Sequence, residues 1–272
     1  TGYTVGGVGW YRKHFATPST LGAGGRATLI FDGVYMNSTL WLNGHQVATQ
    51  PYGYSTFHID VTDHLLSGGA TNVLAVRVAN GGRNSRWYSG SGIFRHVHLL
   101  TTGPLHIAPW GVAISTPTVR ADAATVAVAV AVVNEAATDA PAVAVRVRLT
   151  LPSGADGPEA VAPAQLVRGG GGKANFSVSL TLARPALWGP ESPLLHRARV
   201  TVETAPPAVE GAADAAAVVD SVGERFGVRS IRWSASEGFV LNNRSIKLRG
   251  GCVHHDNGPL GSATVARAEA RR

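Results

Sequence analysis

The sequence predicts a mainly β protein, with two β-sandwiches in succession and then the opening of a strand-and-helix unit. Three observations predict this. Short apolar or alternating runs recur with a period of two, the pattern of strands that bury one face. Turn-forming dipeptides separate those runs. No stretch of the first hundred residues keeps a period of 3.6 long enough to build a helix.

The first hundred residues hold the runs 27–31 (ATLIF), 39–42 (TLWL), 72–78 (NVLAVRV) and 93–100 (IFRHVHLL). Between them lie Asp32-Gly33, Asn43-Gly44 and Gly81-Gly82. Such pairs tolerate positive φ and suit tight hairpins, so each is read as a turn, with Asn43-Gly44 at the tip of the clearest hairpin. Gly103-Pro104 ends this sandwich, because Gly-Pro interrupts strand pairing. The texture then changes to Thr/Val/Ala strands at 125–133, 143–151, 175–182 and 197–203. An immunoglobulin-like sandwich is the simplest arrangement for them. Two Ala/Gly/Pro-rich stretches, 152–173 and 204–217, are expected to be loops, having little apolar surface to bury. A hairpin of 238–241 with 245–248, turning at Asn242-Asn243, then leads into RGGCVHHDNGPLGSA (249–263) and a short helix-prone tail, ARAEARR. Strand, polar loop and incipient helix are how one βα unit begins. The expected domains are 1–102, 103–228 and 229–272.

Composition narrows the function. At 272 residues about two domains are expected. Lys and Arg total 24 against 17 Asp and Glu, for a formal charge of +7. Only Lys13, Lys173 and Lys247 are lysines, and the arginines are scattered without interleaved aromatics. That pattern argues against nucleic acid as a partner. No run of eighteen apolar residues suggests a membrane span. The opening residues lack the basic start and apolar stretch of a signal peptide and read as the cut end of a longer chain. A single cysteine, Cys252, excludes an intrachain disulfide.

The order of motifs resembles glycoside hydrolase family 2, the β-galactosidase and β-glucuronidase family. GWYRKHF (9–15), VYMNSTLWLNGHQVATQPYGYSTFHIDVTDHL (34–65) and NSRWYSGSGIFRHVHL (84–99) are similar to its sugar-binding jelly roll. LWGPESPLLHRARV (187–200) resembles the late strands of its immunoglobulin-like domain, and GFVLNNRSIKLRGGCVHHD (238–256) the start of its catalytic TIM barrel. The GCVHHDNGPLG form looks closest to the β-galactosidase-like branch. The resemblance implies a jelly-roll-like sandwich, an immunoglobulin-like sandwich and the first strand and loop of a truncated barrel. It implies a retaining O-glycosidase acting on a carbohydrate such as a β-galactoside, with no organic cofactor. By it, His254 and Asp256 fall near the sugar, and Arg86 and Trp87 line the pocket or glue the sandwich to the barrel. Carboxylate, imidazole and guanidinium all suit sugar hydroxyls, and indole suits the apolar ring face. His255 is read as a rim residue, and a metal on the paired histidines is disfavoured, since neighbours on a strand point to opposite faces.

No catalytic residue carries over to this chain. The family's two glutamates lie on later barrel strands. The one Asn-Glu pair, Asn134-Glu135, reads as a hairpin corner. A carbohydrate-binding or adhesion module without a barrel is the rival reading, and a structural protein of repeated β domains a third. The family's jelly roll begins well before its GWYRK-like strand, so unpaired edges predict self-association of this chain. Trp41 and Trp188 are expected in cores, and the Tyr52-Gly53-Tyr54 turn is a further ligand-facing candidate.

Overall fold

The structure, a computed structural model, describes residues 6–66, 69–82, 90–204, 216–252 and 265–271. The chain divides into two compact units, Thr1–Thr102 with Gly251–Arg272, and Gly103–Gly250.

The first unit is built from β1 (Gly7–Ala16), β2 (Arg26–Phe31), β3 (Val34–Tyr35), β4 (Ser38–Leu42), β5 (His45–Gln50), β6 (Phe57–Asp60), β7 (Thr71–Asn80), β8 (Gly92–Ile93) and β9 (Val97–Thr102). Its sheets run β1-β7-β4-β5 and β6-β2-β9, with β3 paired to β8. Alternation decides the faces. Every second residue of β7, from Asn72 to Asn80, is buried, and Leu74, Val76 and Val78 meet Leu29, Phe31, Leu40 and Leu42 in one core. The β4–β5 hairpin turns where expected, with Asn43 and Gly44 at φ 52° and 87°.

Asn43 also reaches inward. Its Nδ2 donates to the His64 carbonyl at 2.7 Å and to Asn72 Oδ1 at 2.9 Å, while its Oδ1 accepts from Val73 N. Asn72 is fully buried. It accepts a second bond from Leu66 N at 2.9 Å and donates to Thr17 Oγ1 at 2.9 Å and the Phe15 carbonyl at 3.4 Å. The ends of β1 and β4 and the 64–66 turn are thus tied to one amide pair.

Three expectations for this unit need correction. The run 93–100 is not one strand: residues 92–93 pair with β3 and residues 97–102 with β2. Asp32-Gly33 is no hairpin, because β2 and β3, which it joins, belong to different sheets. Trp41 is half-buried rather than in the core. Leu40 and Leu42 take the inner face of β4, so the residue between them must point outward.

The second unit is built from β10 (Leu105–Val119), β11 (Ala123–Asn134), β12 (Ala140–Thr150), β13 (Asp156–Val167), β14 (Gly172–Ala183), β15 (His196–Thr204) and β16 (Ala217–Phe226), with β17 (Ile231–Ser234), β18 (Gly238–Leu241) and β19 (Arg244–Ser245) after them. Sheets β10-β11-β14 and β13-β12-β15-β16 enclose a core of Val, Leu and Phe, including Val128, Val147, Leu149, Phe176 and Val200. A sandwich is the result. Residues 156–167 form β13 rather than the expected loop. Its low-complexity composition is outweighed by its partner strand. Ala162 and Val167 enter the core, and Glu159 accepts from Arg146 Nη1 at 2.6 Å and Arg148 Nε at 2.5 Å. Those guanidiniums, Arg148 first, hold the Glu159 carboxyl below its ordinary range.

The β18–β19 hairpin turns at Asn242 and Asn243, φ 50° and 63°, but its second arm is Arg244–Ser245, shorter than expected. Asn242 anchors this turn: its Nδ2 donates to the Trp188 carbonyl at 2.9 Å and its Oδ1 accepts from Ser230 N at 3.0 Å. Trp188 is half-buried, not core, with the Arg229 guanidinium 4.7 Å over its ring. A short helix α1 (Ala266–Arg271) carries Glu269.

His196, on β15, is 1% exposed and stacks on Phe226 with centroids 5.5 Å apart. Among the described residues neither ring nitrogen has a hydrogen-bond partner. Burial therefore pushes its pKa below the ordinary 6.5. The unfolded chain binds the proton more readily, so this group's contribution is complete above about pH 6.5 and is lost as pH falls through that value towards the folded pKa. Urea unfolding from pH 8 to 5 is expected to show this slope in the wild type and a flatter one in His196→Leu. Equal slopes would reject the assignment.

Candidate functional site

Arg86, Trp87, His254 and Asp256, the sequence-derived substrate contacts, lie outside the described residues, as do Tyr88 and His255. The structure does describe what frames the segment 83–89, and that frame is at one end of the first sandwich.

β7 leads into the segment and β8 follows it. Asn80, the last residue of β7, is buried, and its Nδ2 donates to Ser91 Oγ at 2.7 Å. The two flanks of the segment are thereby tied together. Beside them Ala79 N donates to the Met36 carbonyl at 3.0 Å, and Asn37 Nδ2 donates to the Ala79 carbonyl at 3.3 Å. β1 supplies the floor: Tyr11 Oη accepts from Ile93 N at 3.3 Å. Gly92 has φ +114°, and a Cβ there would stand 2.1 Å from Tyr11 Oη. Only glycine meets both demands. An open cavity of about 240 Å³ lies here, lined by Gly6, Gly7, Val8, Gly9, Tyr11, Val78, Ser91 and Gly92.

Aromatic rings border the same end. Tyr35 pairs with Gly92 across β3 and β8. Its ring lies 5.0 Å from Tyr54, which lies 5.9 Å from Tyr52 and 6.1 Å from Phe94. The Arg95 guanidinium sits 5.3 Å over Phe94. Tyr52 and Tyr54 are 59% and 50% exposed. Partial burial first, then the neighbouring phenols of Tyr35 and Tyr52, raise the Tyr54 pKa, so it stays a neutral phenol. Neutral phenols, glycine backbone and a serine hydroxyl offer hydrogen-bonding groups and apolar ring faces together, which suits a polyhydroxylated ring.

Sequence reasoning named the Tyr52–Tyr54 turn but missed Tyr11, Asn80 and Ser91. Only the double glycine of Ser-Gly-Ser-Gly (89–92) hinted at a backbone constraint. Asn134-Glu135 sits at the end of β11 as a corner. Asn134 Nδ2 donates to the Thr138 and Val167 carbonyls at 2.9 and 3.1 Å, and its Oδ1 accepts from Ala136 N. Cys252 is exposed and free. Among the described residues no group of three His, Cys, Asp or Glu could hold a metal, and no helix is long and apolar enough to cross a membrane.

Two family models match in sequence order. Residues 2–103 match the model described as glycosyl hydrolases family 2, sugar binding domain, and residues 106–229 match the model described as glycosyl hydrolases family 2. A β-galactosidase of Bacteroides ovatus is 38% identical over 275 residues, covering 99% of this chain and 30% of that protein. The crystal structure of a family 2 member from Bacteroides cellulosilyticus superposes with a TM-score of 0.86 at 39% identity, over 100% of this chain and 35% of that one. That of a Bacteroides uniformis β-glucuronidase gives 0.82 at 27% identity, over 98% and 32%. The chain thus spans about a third of the length of these relatives.

Proposed function

This chain belongs to glycosyl hydrolase family 2, and on that premise we propose that it is the N-terminal portion of a retaining glycosidase, β-galactosidase-like in specificity. The observation that carries the reading is the ordered pair of family 2 matches over 2–103 and 106–229, with β-galactosidase and β-glucuronidase relatives aligned along nearly the whole chain. The reading divides the chain into a sugar-binding jelly roll (1–102), an immunoglobulin-like sandwich (103–228) and the start of a barrel (229–272).

Retention of configuration needs two carboxyl groups about 5–5.5 Å apart, one protonating the leaving oxygen and the other attacking the anomeric carbon. This reading assigns both to the part of the protein that corresponds to the relatives' remaining length. The 272 residues supply binding and are inactive alone. Arg86 holds a substrate hydroxyl or carboxylate, Trp87 packs beside it, and His254 and Asp256 bind hydroxyls at the barrel mouth. The tie from Asn80 to Ser91 and the floor of Tyr11 under Gly92 support the part of this reading that concerns Arg86 and Trp87, because they hold together the residues on either side of 83–89.

The test is kinetic. Full-length protein is assayed on aryl β-galactoside and aryl β-glucuronide, alone and as Arg86→Ala. Turnover of the galactoside is expected, with KM raised or kcat lowered roughly tenfold or more in the variant and thermal unfolding unchanged. Absence of glycosidase activity would reject the function, and unchanged kinetics would reject the role of Arg86.

A further inference from the structure

The outer face of the β1-β7-β4-β5 sheet belongs to no site described so far. Strand register fixes its composition. Trp10 of β1 stands opposite Arg77 of β7, which stands opposite Thr39 of β4. In the next row Arg12 stands opposite Ala75, which stands opposite Trp41. Buried Val76 and Val78 hold the inner face, so these six side chains share the outer one. Ala75 is small enough for the indoles of Trp10 and Trp41 to meet across it, 5.3 Å between centroids and 30° between planes. Trp10 is 56% exposed.

A large indole left half in water is costly, and two in contact on an outward face form an apolar platform. Its surroundings are charged: Arg12 and Arg77 flank the indoles, and none of the six residues is acidic. Stacked indole faces suit the C–H face of a pyranose, while guanidiniums suit carboxylate or sulfate substituents. We infer that this face binds an anionic oligosaccharide, a chain of uronate or sulfated sugars, at a site apart from the rim that frames residues 83–89. The inference does not rest on the glycosidase reading, since binding and not turnover is its readout.

The 272-residue chain is titrated with a short oligogalacturonate and with a neutral galacto-oligosaccharide, followed by tryptophan emission and calorimetry. Saturable binding of the oligogalacturonate is expected, weakening with salt and exceeding that of the neutral sugar. Trp10→Ala is expected to weaken it roughly tenfold, the scale of one stacked aromatic contact, and Trp10→Tyr to restore part of it. Arg77→Gln should weaken the anionic ligand selectively. Arg197→Gln, in the second unit, should change nothing. Circular dichroism establishes that each variant is folded. Equal affinity for both sugars, no saturable binding, or Trp10→Ala and Arg77→Gln indistinguishable from wild type would each overturn the inference. An effect of Arg197→Gln equal to that of Arg77→Gln would overturn it too, as a response to net charge alone.

Discussion

Asn72→Ala is expected to lower the stability of the first sandwich by about 2–4 kcal/mol, the cost of leaving several buried partners unpaired. Asn72 is 0% exposed, and its amide bonds Asn43, Leu66, Thr17 and Phe15. Truncation removes both donors and the acceptor while the partners stay where the strands hold them. Asn72→Leu is expected to be nearly as damaging, because added apolar volume does not satisfy Leu66 N or the Phe15 carbonyl. The loss should be local. Hydrogen exchange is expected to show protection falling in β1, β4, β5 and β7 while β11, β12, β14 and β15 keep theirs. A urea midpoint within error of wild type would mean that the network contributes nothing measurable.

Gly53→Ala is the second large expected effect. A Cβ on Gly53 would lie 2.4 Å from the Tyr35 ring and 2.9 Å from the Tyr35 Cα. Tyr35 is 7% exposed and paired to Gly92, so neither ring nor backbone has room to retreat. Overpacking of this kind costs roughly 1–3 kcal/mol. It should also lift the 51–54 turn and separate Tyr54 from Tyr35, now 5.0 Å apart. The measurements are thermal unfolding and near-ultraviolet circular dichroism, where the coupled tyrosine signal is expected to fall. Retention of both would show that the turn is not seated on Tyr35.

The strands were legible wherever burial is one-sided. Along β7 and β11 the alternation of Val with polar or small residues maps directly onto burial, since a pleated strand leaves each side chain only two directions. Turns that need positive φ were legible for an equally local reason: Asn43-Gly44 and Asn242-Asn243 fall where they were expected. The strand β13 was not. Its residues have weak intrinsic preference, and what recruits them is pairing with β12 together with the burial of Ala162 and Val167. The exposed ion pairs of Glu159 with Arg146 and Arg148 add little. Trp41 failed differently. Hydrophobicity suggested the core, but the register of Leu40 and Leu42 had already taken the inner face.

For the site, the quoted motifs carried the family, and the two family matches agree with them. They did not carry the frame. Asn80 with Ser91, and Tyr11 with Ile93, join residues 11 and 82 positions apart. The sequence by itself determined β-class and the turns at Asn43-Gly44 and Asn242-Asn243, because each rests on neighbours within a few residues, and it determined the family through the order of its motifs along the chain. Only the tertiary structure decided which strand meets which, where Trp10 finds Trp41, and which polar groups are buried in pairs. Those are contacts between residues distant along the chain, and no local pattern encodes the distance between them.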